Sequence, residues 1–164
     1  MEWEEHLPGK GHLLVYRSGF HTDAASEVGY GGFLAGEWFA CTWCGKQRDW
    51  SMPCMELFPI LIAVTLWGDR WRGKRILVYC DSDSTVKALN KGYTNKEPAA
   101  TMLRCIVRLA MQHNFLVKAA HIPGKKNVLA DMLSRQRIEE FLRACPYASD
   151  SPCVIPEELI NFCS

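Results

Sequence analysis

Four acidic side chains stand at positions that are hard to explain as solvated surface: Asp23, Glu56, Asp81 and Asp131. Asp23 closes a predicted strand, and Asp81 follows the apolar run "ILVYC". Glu56 lies in the first turns of one predicted helix, and Asp131 borders the apolar face of another. Reactive groups in α/β proteins collect where central strands end. We therefore expect the four carboxylates to converge at one edge of a sheet.

Such a cluster has a definite chemistry. Closely spaced carboxylates repel one another, and their burial adds a desolvation cost, so the cluster requires cations. Mg²⁺ suits it best, because this ion prefers oxygen ligands and binds substrate phosphates, with Mn²⁺ as a substitute. Two such ions about 4 Å apart activate a water and stabilise the leaving oxygen of a phosphodiester.

Each acid also has a simpler explanation. Asp23 would cap a turn, Glu56 would favour the helix dipole and Asp81 would help to cap the next helix. Asp131 would pair with Arg135 at i,i+4. The metal site is favoured because all four acids fall at a strand end or an inner helix face within one order of elements.

Hydrophobic alternation predicts the strands that begin the domain. Residues 13–23 form the first, and "VGYGGFLAG" and "EWFACTW" form two more, joined at Ala35 and Gly36. Together they predict a three-stranded antiparallel meander. Two later apolar runs, "KRILVYCD" and "FLVKAAH", are typical of buried strands.

Helical periodicity follows the meander. Apolar residues at three- and four-residue steps predict a helix over residues 53–70, with Ser51 as its cap and Pro59 as a bend. "DSTVKALNKG" predicts a short helix that ends at Gly92. "AATMLRCIVRLAMQHN" predicts a longer one, and "KNVLADMLSRQR" the final one. The face that we expect the longer helix to bury consists of Leu103, Ile106, Val107 and Ala110.

The resulting order is β-β-β-α-β-α-α-β-α. It predicts an α/β fold: a mixed five-stranded sheet, with three antiparallel strands and then crossovers, and helices on both faces. We expect residues 1–144 to form this domain. Residues 145–164 are rich in Pro and Ser. This composition predicts a tail or linker, with one helical turn at its end.

Composition restricts the class of protein. The 164 residues are 48% hydrophobic and 23% charged, which is typical of one globular domain. No apolar run reaches the roughly 20 residues of a membrane helix, and the first residues are acidic, unlike a signal peptide. We expect a soluble, intracellular protein with reduced cysteines. Cys41 and Cys44 form a C-x-x-C pair without a second pair at zinc-site spacing, so we interpret them as small buried hydrophobes.

Four stretches resemble the ribonuclease H domain of retrotransposon polyproteins, most closely the DIRS type. They cover most of residues 20–144, and the last is the most specific: "HTDAASEVGYGG", "MELFPILIAVTLWG", "RILVYCDSDSTV" and "AAHIPGKKNVLADMLSR". The resemblance implies the same five-stranded fold. It also implies hydrolysis of the RNA strand of an RNA–DNA hybrid.

The resemblance also implies roles for the acids. The family's catalytic and metal-binding acids correspond to Asp23, Glu56, Asp81 and Asp131. Asp23 would bridge two Mg²⁺ ions, Glu56 and Asp81 would complete one site, and Asp131 the other. We interpret the polar residues around the last helix as substrate-binding, or equally as solvated polar positions: Lys125, Lys126, Asn127 and Arg135.

The chain departs from the family in two places. Many cellular relatives carry a mobile His before the final Asp, but that position falls at about Gly124 here. His121 is interpreted as structural, or at most as a weak substitute in product release. The basic protrusion of many cellular enzymes is also missing, and the net charge is only +1. A tethered reverse transcriptase domain is therefore the expected source of affinity for the hybrid.

Two other functions stay open. The first is a host-adopted, non-catalytic module of the same fold that binds nucleic acid or protein. The second is a DNA transposase or integrase core, although those usually end with a Glu on the last helix, where this chain has Asp131.

Overall fold

The computed structural model describes residues 19–162. The strands are β1 (Phe20–Ala25), β2 (Gly29–Leu34), β3 (Glu37–Thr42), β4 (Arg75–Cys80) and β5 (Leu116–His121). The helices are α1 (Met52–Trp67), α2 (Asp83–Lys91), α3 (Ala99–His113), α4 (Val128–Ser134), α5 (Ile138–Ala144) and α6 (Glu157–Ile160).

The strands form one mixed sheet in the order β3-β2-β1-β4-β5. β1 to β3 are antiparallel neighbours, whereas β4 runs parallel to both β1 and β5. One hydrophobic cluster joins the sheet to α1 and α3, and a second joins it to α4 and α5. The prediction of a five-stranded mixed sheet with helices on both faces is confirmed.

β1 differs from the prediction in its position. The expected strand covered residues 13–23, of which 13–18 lie outside the described residues, and β1 continues to Ala25. Asp23 therefore lies inside the strand and not at its end. β1 pairs with β4 only through Phe20 with Val78 and His21 with Tyr79. Beyond that point β1 and β4 no longer pair with each other, although β1 still pairs with β2 and β4 with β5.

The hairpin between β2 and β3 matches its sequence. Ala35 and Gly36 both have positive φ, 47° and 92°. Two consecutive residues with positive φ give the tight turn whose twist suits antiparallel strands. The predicted turn is confirmed at these residues.

α1 is the central helix of the larger core. It begins one residue before the predicted start, continues through Pro59 and passes into a 3-10 turn at Gly68–Arg70. Its residues are buried on nearly every side, because it packs between the sheet and α3. In the described range, only the stretch Met52–Arg70, which is α1 with its 3-10 turn, has the length and hydropathy to cross a membrane, and most of it is buried inside the domain.

Two predictions about later helices are wrong in detail. Val107 of α3 is 39% exposed, whereas Leu103 and Ile106 are buried. The final predicted helix is shorter than expected, because Gln136 has a φ of 59° and α4 ends before it; α5, which begins after the predicted helix, was not predicted. Left-handed backbone cannot continue a right-handed helix.

Residues 145–162, here called the C-terminal strap, pack on the domain and do not extend away as a free linker. The Ser149 N–H donates to the Gly36 carbonyl at 2.8 Å, and the Cys153 N–H donates to the Trp38 carbonyl at 2.7 Å. The Trp38 indole N–H donates back to the Ser149 carbonyl at 2.7 Å. The strap therefore lies along β3, one of the two edge strands, and protects its backbone from pairing with other chains. The domain boundary at residue 144 stays a prediction.

The strap also contributes to the core, which gives a stability prediction. Ile155 is 8% exposed within the larger cluster, whereas its neighbour Val154 is 88% exposed. We expect Ile155→Ala to lower the free energy of unfolding by about 2 kcal/mol, through lost burial and a cavity. Val154→Ala is the matched control and should change it by less than about 0.5 kcal/mol. Urea denaturation followed by circular dichroism measures both. Equal effects of the two substitutions would mean that the strap does not pack as described.

Candidate metal centre

Three of the four predicted acids converge. Asp23, Glu56 and Asp81 each offer a carboxylate oxygen, and these three atoms all lie within 4.8 Å of one another. Asp23 is 5% exposed and Glu56 is 4% exposed, while Asp81 is half-buried. The convergence predicted from strand ends and an inner helix face is therefore present for these three side chains.

The sheet explains why Asp23 and Asp81 meet. His21 of β1 and Tyr79 of β4 are the last paired residues of the two parallel strands. Asp23 and Asp81 each lie two residues further along, so both side chains point to the same face of the sheet as His21 and Tyr79. The pairing of β1 with β4 ends there, and the two carboxylates come together just beyond the last pair, a place called here the opening between β1 and β4. Glu56 reaches the same opening from the second turn of α1, which packs on β1.

Burial and like charge raise the pKa of all three carboxyl groups. The pKa of Asp23 rises to about 7, mainly because burial disfavours the charged form; the hydrogen bond from Ser134 opposes this rise, and the charges of Asp81 and Asp131 add to it. The pKa of Glu56 rises to about 9, first through burial and then through Asp23 and Asp81. Burial also raises the pKa of Asp81. Without a cation, the cluster therefore disfavours full ionisation.

These residues fit a divalent cation. Glu56 Oε2 is fully buried and has no hydrogen-bond partner within residues 19–162. A buried carboxylate oxygen without a partner is costly unless a ligand satisfies it. The donor set consists of oxygen atoms from three acids, which is the chemistry that hard divalent cations prefer. A cation bound here would remove both the repulsion and the unsatisfied oxygen.

Asp131 lies near this cluster but outside it. Its Oδ1 accepts a hydrogen bond from Arg135 Nε at 2.9 Å, and the two side chains are 40% and 47% exposed. Its charge still raises the pKa of Asp23 and of Asp81, so it lies within electrostatic reach of both. The i,i+4 ion pair that the sequence left open is therefore formed, and Arg135 is occupied by Asp131.

The loop before α4 borders the cluster. A Cβ atom at Gly124 would lie 3.1 Å from Asp81 Oδ2, so the backbone passes close to that carboxylate. Lys125 and Lys126 follow in an exposed 3-10 turn. His121 Nε2 lies 3.9 Å from Asp83 Oδ1, and its charge, when protonated, lowers the pKa of Asp81. Of these residues, His121 at the end of β5 is the one whose charge acts on Asp81.

Asn127 does not occupy the position that its predicted role requires. It is 2% exposed, and its Nδ2 donates to the Thr22 carbonyl at 2.9 Å. A side chain that is this buried cannot meet a phosphate from solvent. Its contact instead fixes the start of α4 to β1, one residue before Asp23.

Sequence reasoning missed two residues that shape the centre. Ser134 is fully buried, and its Oγ donates to Asp23 Oδ2 at 2.6 Å. Gly31 pairs with Asp23 across β1 and β2, and a Cβ there would lie 2.5 Å from Leu133 Cβ. Both residues belong to quoted motifs, Ser134 to "ADMLSR" and Gly31 to "GYGG". The sequence does not show that Ser134 lies close to Asp23 or that Gly31 lies close to α4.

No protein-family profile matches the chain, and no curated protein matches it. Solved structures do resemble it. RNase H1 from the halophilic archaeon Halobacterium salinarum is 14% identical with a TM-score of 0.53, over 75% of this chain and 96% of that one.

Two further structures have a TM-score of 0.52. LC11-RNase H1, isolated from compost and solved in complex with an RNA/DNA hybrid, is 20% identical over 76% of this chain and 99% of its own. The N-terminal RNase H domain of a Mycobacterium tuberculosis protein, solved as a fusion with maltose-binding protein, is 13% identical over 77% and 95%. At identities this low, structural similarity shows the fold alone. The chain has a ribonuclease H-like fold.

Proposed function

We propose that this protein is a metal-dependent endonuclease that hydrolyses the RNA strand of RNA–DNA hybrids. The observation that carries the proposal is the convergence of Asp23, Glu56 and Asp81 within 4.8 Å, at the opening between β1 and β4. Three largely buried acids at this distance are unfavourable without a cation. Their placement in a ribonuclease H fold supports phosphodiester hydrolysis as the reaction.

The acids would bind the cations, and the polar residues around them would bind the substrate. Asp23, Glu56 and Asp81 would hold Mg²⁺ or Mn²⁺, and Asp131 would join them once its contact with Arg135 is released. A divalent cation bound by these acids supplies an activated water and stabilises the charge on the leaving oxygen. Glu56 is 4% exposed, so its side of the cluster is closed to bulk water.

The substrate would approach from the exposed side of the acids. Lys125 and Lys126 lie on the bordering loop, where their charge would attract backbone phosphates. Choice of an RNA strand would come from contacts to 2′-hydroxyl groups across the wide minor groove. The RNA/DNA hybrid held by LC11-RNase H1 is the substrate that we assign to this chain as part of the proposal.

We further propose that the domain belongs to a retrotransposon polyprotein, with the DIRS type most similar, and acts inside the cell beside a tethered reverse transcriptase. The motifs "HIPGKKNVLADMLSR" and "MELFPILIAVTLWG" support this origin. The net charge of +1 supports the tether, because a nearly neutral domain gains little affinity for nucleic acid from electrostatics alone.

One observation favours the alternative of a host-adopted, non-catalytic binding module. Asp131 is paired with Arg135 and lies outside the three-acid cluster. In such a module, the acids would contribute to cation-dependent folding or binding without turnover.

A comparison of substrates tests the proposed reaction. The protein is incubated with an RNA–DNA hybrid, duplex RNA and duplex DNA of one sequence, with Mg²⁺, Mn²⁺ or EDTA. We expect cleavage of only the RNA strand of the hybrid, and none in EDTA. Cleavage of duplex DNA at the same rate would favour a transposase-like or integrase-like core. Binding of the hybrid without cleavage under either metal would favour the non-catalytic module.

A further inference from the structure

The fully buried hydroxyl of Ser134 contacts Asp23, one of the three acids of the cluster. Ser134 is the last residue of α4 and is 0% exposed. Its Oγ lies 2.6 Å from Asp23 Oδ2 and 3.0 Å from the Asp131 carbonyl oxygen. One hydroxyl proton can serve only one acceptor fully. The shorter distance and the charge of the carboxylate favour Asp23, because charge-assisted O–H···O bonds are the shorter and stronger ones.

The close approach of α4 to the sheet makes this bond possible. Asp23 is paired with Gly31 on β2, and Leu133 packs directly over Gly31. Any side chain at Gly31 would displace α4, since a Cβ would lie 2.5 Å from Leu133 Cβ and 3.0 Å from the Leu133 carbonyl carbon. The absence of a side chain at Gly31 therefore lets α4 approach the sheet closely enough for Ser134, the residue after Leu133, to contact Asp23.

α4 is fixed to β1 at both of its ends. Before the helix, Asn127 Nδ2 donates to the Thr22 carbonyl at 2.9 Å. At its last residue, Ser134 donates to Asp23. The contacts fall on adjacent residues of β1, so the helix and the carboxylate cannot shift independently of each other.

We propose that Ser134 is a positioning residue for the metal centre: its hydroxyl holds the Asp23 carboxylate in the orientation that meets Glu56 and Asp81. This inference rests on the proposed function, because it assumes that the three acids bind a cation. The hydroxyl occupies one lone pair of Asp23 Oδ2 and restricts rotation of the carboxylate. Partners behind a metal ligand that act in this way typically change metal affinity or activity by about 10–100-fold.

Metal titration of variants tests the proposal. Binding of Mn²⁺ is measured by isothermal titration calorimetry on the full chain, and steady-state cleavage of the hybrid gives kcat and KM. For Ser134→Ala we expect a Kd for Mn²⁺ that is about 10-fold weaker or more, a lower kcat and an unchanged KM for the hybrid. The KM should not change because Ser134 is buried and does not meet the substrate.

The matched control is Thr65→Val. Thr65 Oγ1 donates to the Leu61 carbonyl at 2.8 Å inside α1, nine residues beyond Glu56 and so roughly 13 Å along the helix. This control should leave Mn²⁺ affinity unchanged. Ser134→Cys provides a second variant if the alanine variant does not fold, because the thiol fills the site but is a weak donor. It too should weaken Mn²⁺ binding relative to Thr65→Val.

The outcomes separate the two proposals. Mn²⁺ affinity equal to wild type in a folded Ser134→Ala or Ser134→Cys variant would overturn the role of Ser134 and leave the nuclease proposal intact. Absence of Mn²⁺ binding by the wild-type protein, or equal affinity in Asp23→Asn, would overturn the proposed function and this inference with it.

Discussion

Asp23→Asn is expected to lower the rate of RNA–DNA hybrid cleavage by about 10³-fold or more, which corresponds to roughly 4 kcal/mol of transition-state stabilisation. Asp23 contacts Ser134, and its carboxylate lies within 4.8 Å of those of Glu56 and Asp81. The amide keeps the shape of the side chain but removes the negative charge that would hold a cation. Single-turnover cleavage with saturating enzyme measures the chemical step directly.

The same substitution should have the opposite effect on stability in EDTA. Asp23 is 5% exposed, and its ionised form is disfavoured by burial and by neighbouring acids. Removing that charge should raise the midpoint of thermal unfolding at pH 8, where the wild-type carboxyl is ionised. Asp49→Asn is the control, because Asp49 is exposed in the turn before α1 and should change neither activity nor stability. A cleavage rate in Asp23→Asn equal to that of the wild type would end the catalytic assignment of this acid.

In EDTA, the free energy of unfolding should fall as the pH rises from about 6.5 to 8.5, by up to roughly 1.4 kcal/mol per pH unit and about 3 kcal/mol in total. The pKa of Glu56 is about 9 in the folded protein, against 4.5 in its ordinary state. In this window the folded state therefore holds a proton on Glu56 that the unfolded state has already lost. Stability then decreases with pH, because the folded state binds more protons than the unfolded state.

The window is chosen so that other groups do not obscure this effect. Burial lowers the pKa of His21 to about 4, so His21 gives stability that rises with pH, but only up to its ordinary value of 6.5. Asp23, with a pKa of about 7, adds to the fall in stability only in the lower half of the window, so the upper half reports Glu56. Above about pH 8.5, cysteine thiols of the unfolded chain begin to ionise.

Urea denaturation at several pH values, with EDTA or with MgCl₂, measures this slope. Glu56→Gln should flatten it in EDTA, because the amide does not titrate. Saturating Mg²⁺ should also flatten it and raise stability most at the higher pH, since a bound cation replaces the proton. A slope that is unchanged by both Glu56→Gln and Mg²⁺ would show that Glu56 is not the group responsible.

The order of elements and most of their bounds followed from local patterns. The hairpin at Ala35 and Gly36 and the end of α2 at Gly92 depend on backbone conformations that few residues tolerate, so short segments were sufficient to predict them. The early end of α4 and the separate helix α5 were not predicted in this way. Gln136 adopts a φ of 59° although glutamine is a good helix former, and its Nε2 donates to the Cys41 carbonyl of β3. A tertiary contact therefore accompanies the break in the helix.

The C-terminal strap shows the same limit. Its Pro- and Ser-rich composition is typical of a linker, yet Ile155 and Leu159 are buried in the core. Ile155 and Leu159 have i,i+4 spacing, but two residues are too few to identify a buried face, and their burial depends on a surface formed by residues far away in the chain. Asn127 and Val107 were misplaced for a related reason, because sequence patterns do not fix which side chains the rest of the fold covers.

For the candidate centre, the sequence by itself determined the kinds of side chain and the elements that carry them: three acids on β1, α1 and the end of β4, and a fourth on α4. Only the tertiary structure decided their arrangement. The pairing of β1 with β4 ends after His21 and Tyr79, and Asp23, Glu56 and Asp81 come together just beyond that pair. Gly31 admits α4 closely enough for Ser134 to reach Asp23, while Arg135 holds Asp131 outside the cluster. Distances between side chains on different elements depend on how those elements pack, and packing at this scale is decided by the whole chain.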